Sequence, residues 1–144
     1  MRLKEKVAIV TGAANGIGAE ISRTFAREGC HVVLADLAAD KAKTLAAEIT
    51  AESGVKAIAV GCDVAQKEEL QCVVDACVAE FGTVDILVNN AGITLPACPV
   101  EDITPERWKK VLDIDLMGTI YGTQCVIPVM KARKSGKIIN MASV

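Results

Sequence analysis

The stretch that decides the fold reads Val7-Ala-Ile-Val-Thr-Gly-Ala-Ala-Asn-Gly-Ile-Gly18. Its first four residues are apolar without polar alternation, which is typical of a strand buried on both faces of a parallel sheet. The three glycines that follow allow a tight turn and a close approach of the backbone to a ligand. Because the next helix would direct N–H groups and its positive dipole end at that ligand, the stretch predicts a pyrophosphate site and therefore a nucleotide.

Length and composition are those of an ordinary globular domain. At 144 residues the chain fits one domain, and its 51% hydrophobic and 24% charged residues argue against disorder. A net charge of −2 provides no broad surface for nucleic acid or an anionic membrane. No apolar run approaches the ~20 residues that span a bilayer, and early charged residues interrupt any signal peptide. We expect a cytoplasmic protein that binds neither nucleic acid nor membrane.

The cysteine pattern argues against a metal site. The six cysteines form no C-x-x-C pair, and His31 is the single histidine that could join them. In a cytoplasmic protein we expect them to be reduced and mostly to serve as small buried hydrophobic residues.

Apolar strands alternate with amphipathic helices along the rest of the chain. The predicted strands are 7–10, 31–36, 56–62, 84–88 and 137–141, and the predicted helices are 17–29, 40–52, 66–81 and 105–133. Thr104 and Pro105 form a capping signature for the last helix, which Pro128 is expected to kink. Strands separated by helices require parallel pairing with right-handed crossovers. We therefore expect a doubly wound α/β sheet of order 3-2-1-4-5, with a ligand crevice where strands 1 and 4 end.

Short motifs follow the predicted strands at the places where a dinucleotide would lie. The glycine segment resembles the T-G-x-x-x-G-I-G of the short-chain dehydrogenase/reductase family, and Asn89-Asn-Ala-Gly92 resembles its N-N-A-G. Asp63-Val64 is similar to the family's acidic-aliphatic pair, and residues 136–143 are similar to the strand that ends in its active-site serine. The resemblance implies that residues 1–144 form a single Rossmann-like dinucleotide-binding domain, truncated before the later strands of the family.

The same resemblance implies which residues hold the cofactor. The residues that would surround the pyrophosphate and the nicotinamide-side ribose are Gly12, Asn15, Gly16, Ile17 and Gly18. Asp63 and Val64 would hold the adenine, Asn90 would contact the adenosine ribose, and Asn89 would brace the sheet. Two alternatives stay open from the residues alone: Asp63 as a cap before Ala65, and the asparagine pair as a turn before Gly92.

Asp36, at the end of the second predicted strand, indicates NAD as the cofactor. Its carboxylate can accept hydrogen bonds from both adenosine ribose hydroxyls and repels a 2′-phosphate at close range. A site for NADP would be expected to offer an arginine or lysine nearby, whereas residues 13, 14, 37 and 38 are all uncharged.

The resemblance also implies the chemical step, a hydride transfer between nicotinamide and an alcohol or carbonyl. Ser143 stands at the position of the family's serine, whose hydroxyl holds and polarises the substrate oxygen. Asp115 stands where the family has the asparagine of its proton relay, and a surface helix aspartate is the alternative. The family's Tyr-x-x-x-Lys would lie about a dozen residues beyond Ser143. We therefore expect these 144 residues to bind the dinucleotide and to show negligible turnover alone.

The main hypothesis is thus an NAD-dependent oxidoreductase that acts on a small secondary alcohol or carbonyl compound. The alternative is a truncated, catalytically inactive module that binds NAD or forms oligomers. An apolar fifth strand at a sheet edge and the broad apolar surface of the last helix predict a homo-oligomer.

Overall fold

Strands and helices alternate along the chain in a computed structural model that describes residues 1–143. The strands are β1 (Val7–Thr11), β2 (His31–Asp36), β3 (Ala57–Gly61), β4 (Ile86–Asn89) and β5 (Lys137–Asn140). The helices are α1 (Gly16–Arg27), α2 (Ala39–Ser53), α3 (Lys67–Phe81), α4 (Pro105–Val111) and α5 (Gly118–Arg133). A 3₁₀ turn at Val100–Asp102 and a π-helical segment at Leu112–Met117 complete the elements.

The strands form one parallel sheet in the order β3-β2-β1-β4-β5, which confirms the predicted doubly wound topology. Ile9 of β1 lies between Val33 of β2 and Leu87 of β4. The chain first moves outward on one side of β1 and then continues on the other side. This reversal opens a crevice where β1 and β4 end.

Alternate residues of each strand face two separate cores, as the pleat requires. Ile9, Val33 and Leu87 pack with residues of α3 and α5, whereas Val10 and Leu34 pack with residues of α1 and α2. All five of these side chains are buried. Each contributes about 1.5–3 kcal/mol relative to an exposed position, so helices cover both faces of the sheet.

The last predicted helix departs from the sequence-based expectation. Thr104 caps α4 by accepting a hydrogen bond from the Arg107 N–H at 3.4 Å, and Pro105 is the first helical residue, as predicted. However, the helix does not run unbroken to residue 133, because the π-helical segment separates α4 from α5. The irregularity lies at this segment, and α5 continues through Pro128.

Asp85 joins several elements at the edge of the sheet opposite to the crevice. Its side chain is 9% exposed, and its Oδ2 accepts a hydrogen bond from the Val7 N–H at 3.0 Å. Lys6 and Arg133 lie 3.9 and 3.5 Å from its other oxygen. This carboxylate therefore ties the start of β1 to the end of α5.

No helix within residues 1–143 combines the length and the apolar character needed to cross a membrane.

Candidate functional site

A cleft of about 350 Å³ opens where β1 and β4 end. Of the nine residues predicted to hold a cofactor, all but Gly16 line it: Gly12, Asn15, Ile17, Gly18, Asp36, Asp63, Val64 and Asn90. The other lining residues are Leu37, Cys62, Ala91, Gly92, Ile93 and Ile114. The structure therefore brings the motifs that follow four separate strands to one cavity.

The glycine turn touches the segment after β4 so closely that side chains are excluded at two positions. Gly12 has a φ of +62°, and a Cβ there would lie 2.8 Å from the Ala91 Cα. A Cβ on Gly18 would collide with the Gly12 carbonyl oxygen and lie 2.6 Å from the Asn90 Nδ2. Glycine at these two positions therefore permits the contact between the two loops that border the cleft.

Thr11 and Asn90 hold these two loops together by hydrogen bonds. The Thr11 hydroxyl accepts from the N–H groups of Asn90 and Ala91, both at 3.0 Å. The Asn90 Nδ2 donates in return to the carbonyl oxygens of Thr11 and Gly12 at 2.9 and 3.1 Å. The Asn90 side chain thus fixes the floor of the cleft as well as lining it.

The amino end of α1 points into the cleft and suits a pyrophosphate. The helix begins at Gly16 after Asn15, which has an extended backbone, and its first turn contains no acidic residue. The first N–H groups of a helix have no partner within it, and the helix dipole makes this end positive. Together with the space kept open by the two glycines, this donor set fits a pyrophosphate group.

The Asp36 carboxylate is oriented by backbone groups on both sides. Its Oδ2 accepts from the Ala14 N–H at 2.9 Å and its Oδ1 from the Ala38 N–H at 2.8 Å. A carboxylate oxygen has two lone-pair directions, so each oxygen retains acceptor capacity toward the cleft. Two vicinal hydroxyls of a ribose match that capacity.

Asp63 and Val64 close the side of the cleft beyond β3. The Asp63 Oδ1 accepts from the Ala65 N–H at 3.0 Å, while Gln66 is the N-cap residue of α3. Asp63 therefore orders the turn before the helix and does not itself cap it. Val64 is buried against Gly118 of α5, where a Cβ would lie 2.9 Å from the Val64 Cγ2.

Asn89 is buried outside the cleft. Its Nδ2 donates to the Asn140 Oδ1 at 2.9 Å and contacts the Thr119 carbonyl at 3.4 Å. It therefore links β4 to β5 and to α5, which is the bracing position expected from the sequence.

The two residues predicted to take part in catalysis do not line the cleft. Asp115 lies in the π-helical segment, and its Oδ1 accepts from the Ile93 N–H at 2.9 Å. Ser143 is exposed and follows β5, at the edge of the sheet where the cleft opens.

Cys62 lines the cleft as a neutral thiol. Its side chain is buried, and burial followed by the charges of Glu69 and Asp63 raises its pKa to about 12. A thiol with this pKa has almost no thiolate at neutral pH, so Cys62 shapes the wall and does not act as a nucleophile.

Sequence reasoning missed two residues that build the cleft: Ile114 and Gly118. Gly118 could have been noted as a glycine within a predicted helix. Ile114 gave no signal, because its orientation depends on the π-helical segment.

These features define a doubly wound α/β domain whose cleft fits a dinucleotide, and sequence comparison gives the family. The chain belongs to the short chain dehydrogenase family, which it matches over residues 6–144.

Individual relatives agree with this membership. Galactitol 2-dehydrogenase of Agrobacterium fabrum is 46% identical over 144 residues, which cover 99% of this chain and 54% of that protein. D-threitol dehydrogenase of Mycolicibacterium smegmatis is 43% identical over 142 residues, which cover 99% of this chain and 54% of that protein. The crystal structure of an NAD⁺-bound xylitol dehydrogenase is similar with a TM-score of 0.94 at 33% identity, covering 99% of this chain and 55% of that one. The chain thus spans about half the length of the relatives it matches.

Proposed function

We propose that this chain is the cofactor-binding part of an NAD-dependent oxidoreductase, which transfers a hydride between nicotinamide and a secondary alcohol or carbonyl. The observation that carries the proposal is the cleft itself, with a glycine turn at one end of β1 and a carboxylate at the end of β2. The similar xylitol dehydrogenase was solved with NAD⁺ bound, which supports the same cofactor here.

In this proposal different residues of the cleft bind different parts of the dinucleotide. The amino end of α1, with Gly12, Asn15, Gly16, Ile17 and Gly18, holds the pyrophosphate and the adjacent ribose. Asp36 accepts the adenosine ribose hydroxyls, Asn90 lies beside that ribose, and Asp63 with Val64 receives the adenine. A nicotinamide dinucleotide supplies the hydride donor or acceptor when bound.

Asp36 is the basis for proposing NAD and not NADP. Both of its oxygens are held by backbone N–H groups, so the carboxylate cannot easily turn away from a 2′-phosphate. Among the described residues, none that lines the cleft is a lysine or arginine that could bind such a phosphate. The residue next to Asp36 in the wall of the cleft is Leu37. A negative charge next to a phosphate is strongly unfavourable at close range.

Titration calorimetry with NAD and NADP tests this assignment. The unmutated protein is expected to bind NAD more tightly, and Asp36→Ala is expected to narrow the difference. The matched control is Asp40→Ala, an exposed aspartate of α2 outside the cleft, which is expected to leave the ratio unchanged. Equal affinity of the unmutated protein for NAD and NADP would contradict the assignment.

The substrate class follows from the family and its relatives. Galactitol and D-threitol dehydrogenases are named for polyols, which carry secondary hydroxyl groups. Ser143 is proposed to hold the substrate oxygen, and Asp115 occupies the relay position of the family. Assays of NAD reduction with a panel of secondary alcohols and polyols test this step. Turnover by these residues would contradict the inactive module, whereas NAD binding without turnover is the result expected of a cofactor-binding part alone.

We also propose that the protein forms a homo-oligomer, in which a second copy of the chain covers an exposed apolar face. An apolar face on α4, the π-helical segment and α5 is exposed, and Leu112 and Leu116 are each about half accessible. Light scattering at micromolar concentration is expected to give an oligomer that Leu112→Glu weakens and the control Val100→Glu does not. A monodisperse monomer would contradict this.

The proposed location is the cytoplasm. Within residues 1–143 all six cysteines are free thiols, which suits a reducing compartment. Cell fractionation tests it, and recovery in a secreted fraction would contradict it.

A further inference from the structure

The π-helical segment fixes a negative charge behind one wall of the cleft. The Asp115 Oδ1 accepts from the Ile93 N–H at 2.9 Å, and a Cβ on Gly92 would lie 3.5 Å from the same oxygen. Gly92 and Ile93 both line the cleft. Asp115 is exposed, and this hydrogen bond holds its carboxylate beside the wall.

This wall lies at one particular end of the cleft. Asp36 ends β2 and Asp63 follows β3, on one side of β1, whereas Gly92 and Ile93 follow β4 on the other side. If Asp36 holds the adenosine ribose and α1 holds the pyrophosphate, the rest of a dinucleotide extends toward β4. Asp115 then lies at the nicotinamide end.

The Asp115 charge also differs from that of its neighbour Asp113. Asp113 forms an ion pair with Lys109 at 2.5 Å. Among the ion pairs within residues 1–143, none includes Asp115. Lys109 therefore offsets the negative charge of Asp113. The negative charge of Asp115 has no such partner among the ion pairs of residues 1–143, and it lies beside the cleft wall.

We propose that the Asp115 carboxylate makes the cleft bind the oxidised nicotinamide dinucleotide in preference to the reduced one. This inference rests on the proposed function. The oxidised nicotinamide carries one positive charge that the reduced ring lacks, whereas the pyrophosphate repels Asp115 equally in both forms. The reduced dinucleotide, which forms when the alcohol is oxidised, then dissociates more readily than the oxidised dinucleotide.

The expected effect is modest because the site is open to solvent. One unit charge, several ångströms from another in a partly hydrated site, changes the affinity by about two- to five-fold. The effect should weaken as salt screens the interaction.

The test measures dissociation constants for NAD⁺, NADH and ADP-ribose by titration calorimetry. Asp115→Asn keeps an oxygen that can accept from the Ile93 N–H and removes only the charge, and Asp113→Asn is the matched control. In Asp115→Asn the ratio of the NADH to the NAD⁺ dissociation constant is expected to fall about two- to five-fold. ADP-ribose, which has no nicotinamide, should respond as NADH does, and Asp113→Asn should leave the ratio unchanged.

Two results separate failure of this inference from failure of the proposed function. A ratio that does not move in a variant that still binds NAD⁺, or that moves equally in Asp113→Asn, overturns the inference alone. Failure of the unmutated protein to bind any of the three ligands overturns both. If Asp115→Asn does not fold, the salt dependence of the ratio in the unmutated protein decides, and a ratio independent of salt overturns the inference.

Discussion

Gly18→Ala tests how tightly the glycine turn is packed against the segment after β4. Gly18 is buried in the first turn of α1. A Cβ there would lie 2.6 Å from the Asn90 Nδ2 and 2.9 Å from the carbonyl carbon of Gly12, whose oxygen it would also strike. Because two of these atoms belong to the backbone, no side-chain rotation relieves the contact. The turn must therefore shift, and the Asn90 amide is displaced as well.

The cost of this substitution has three parts. Overpacking of a close-packed site costs about 1–3 kcal/mol. Displacement of the Asn90 amide removes its two hydrogen bonds to Thr11 and Gly12, at roughly 1 kcal/mol each. Alanine is the better helix former by about 1 kcal/mol, which offsets part of the loss. The free energy of unfolding should therefore fall by about 2–4 kcal/mol.

Urea denaturation with linear extrapolation measures this difference. Gly16→Ala is the control, because a Cβ at Gly16 meets no atom within 4 Å and its φ is +54°. It should lose only the roughly 1–2 kcal/mol of a left-handed alanine. NAD affinity should fall with stability in Gly18→Ala. A Gly18→Ala protein that is more stable than Gly16→Ala would refute the packing argument.

Two further predictions concern stability and thiol reactivity. Asp85→Ala leaves the buried Val7 N–H without its acceptor and should cost about 2–3 kcal/mol in the same assay, whereas Asp85→Asn should cost less; equal stability of both variants would contradict this. Alkylation at about pH 8, followed by mass spectrometry, should label the exposed Cys72 long before Cys62, whose pKa of about 12 keeps its thiol protonated. Labelling of both at the same rate would show that the cleft wall opens readily.

Much of the fold could be predicted because the relevant signals are local. The apolar run of β2 is bounded by His31 and Asp36, and the structure has the strand with these bounds. Thr104 and Pro105 likewise mark a helix start through the chemistry of one turn. Parallel pairing followed from the need for crossovers, and the strand order followed from the doubly wound arrangement.

The π-helical segment could not be predicted for a physical reason. Apolar residues at 111, 112, 116 and 120 fit a continuous helical period, and nothing in that pattern marks a wider turn. The segment nevertheless determines that Ile114 lines the cleft and that Asp115 meets the Ile93 N–H. Side-chain direction after such an irregularity depends on tertiary packing.

The site motifs were recognisable, but their internal bonds were not. Asn90 was predicted from resemblance to contact a ribose, and its amide also donates to two carbonyl oxygens of the glycine turn. These partners are nearly 80 residues away in sequence, at a separation of 78 for Gly12. Spacing within one motif carries no information on such a distant partner.

The Asn90 amide also links the formation of the cleft to the folding of the whole sheet. Because it joins loops so far apart in the chain, the contact is non-local and belongs to the stage of folding at which β1 and β4 pair. The entropy of ordering both loops, about 1–2 kcal/mol for each residue, is lost at that stage and not during ligand association. Binding to such a preorganised site should proceed without coupled loop ordering, and partial unfolding of β4 should abolish affinity before the rest of the sheet is lost.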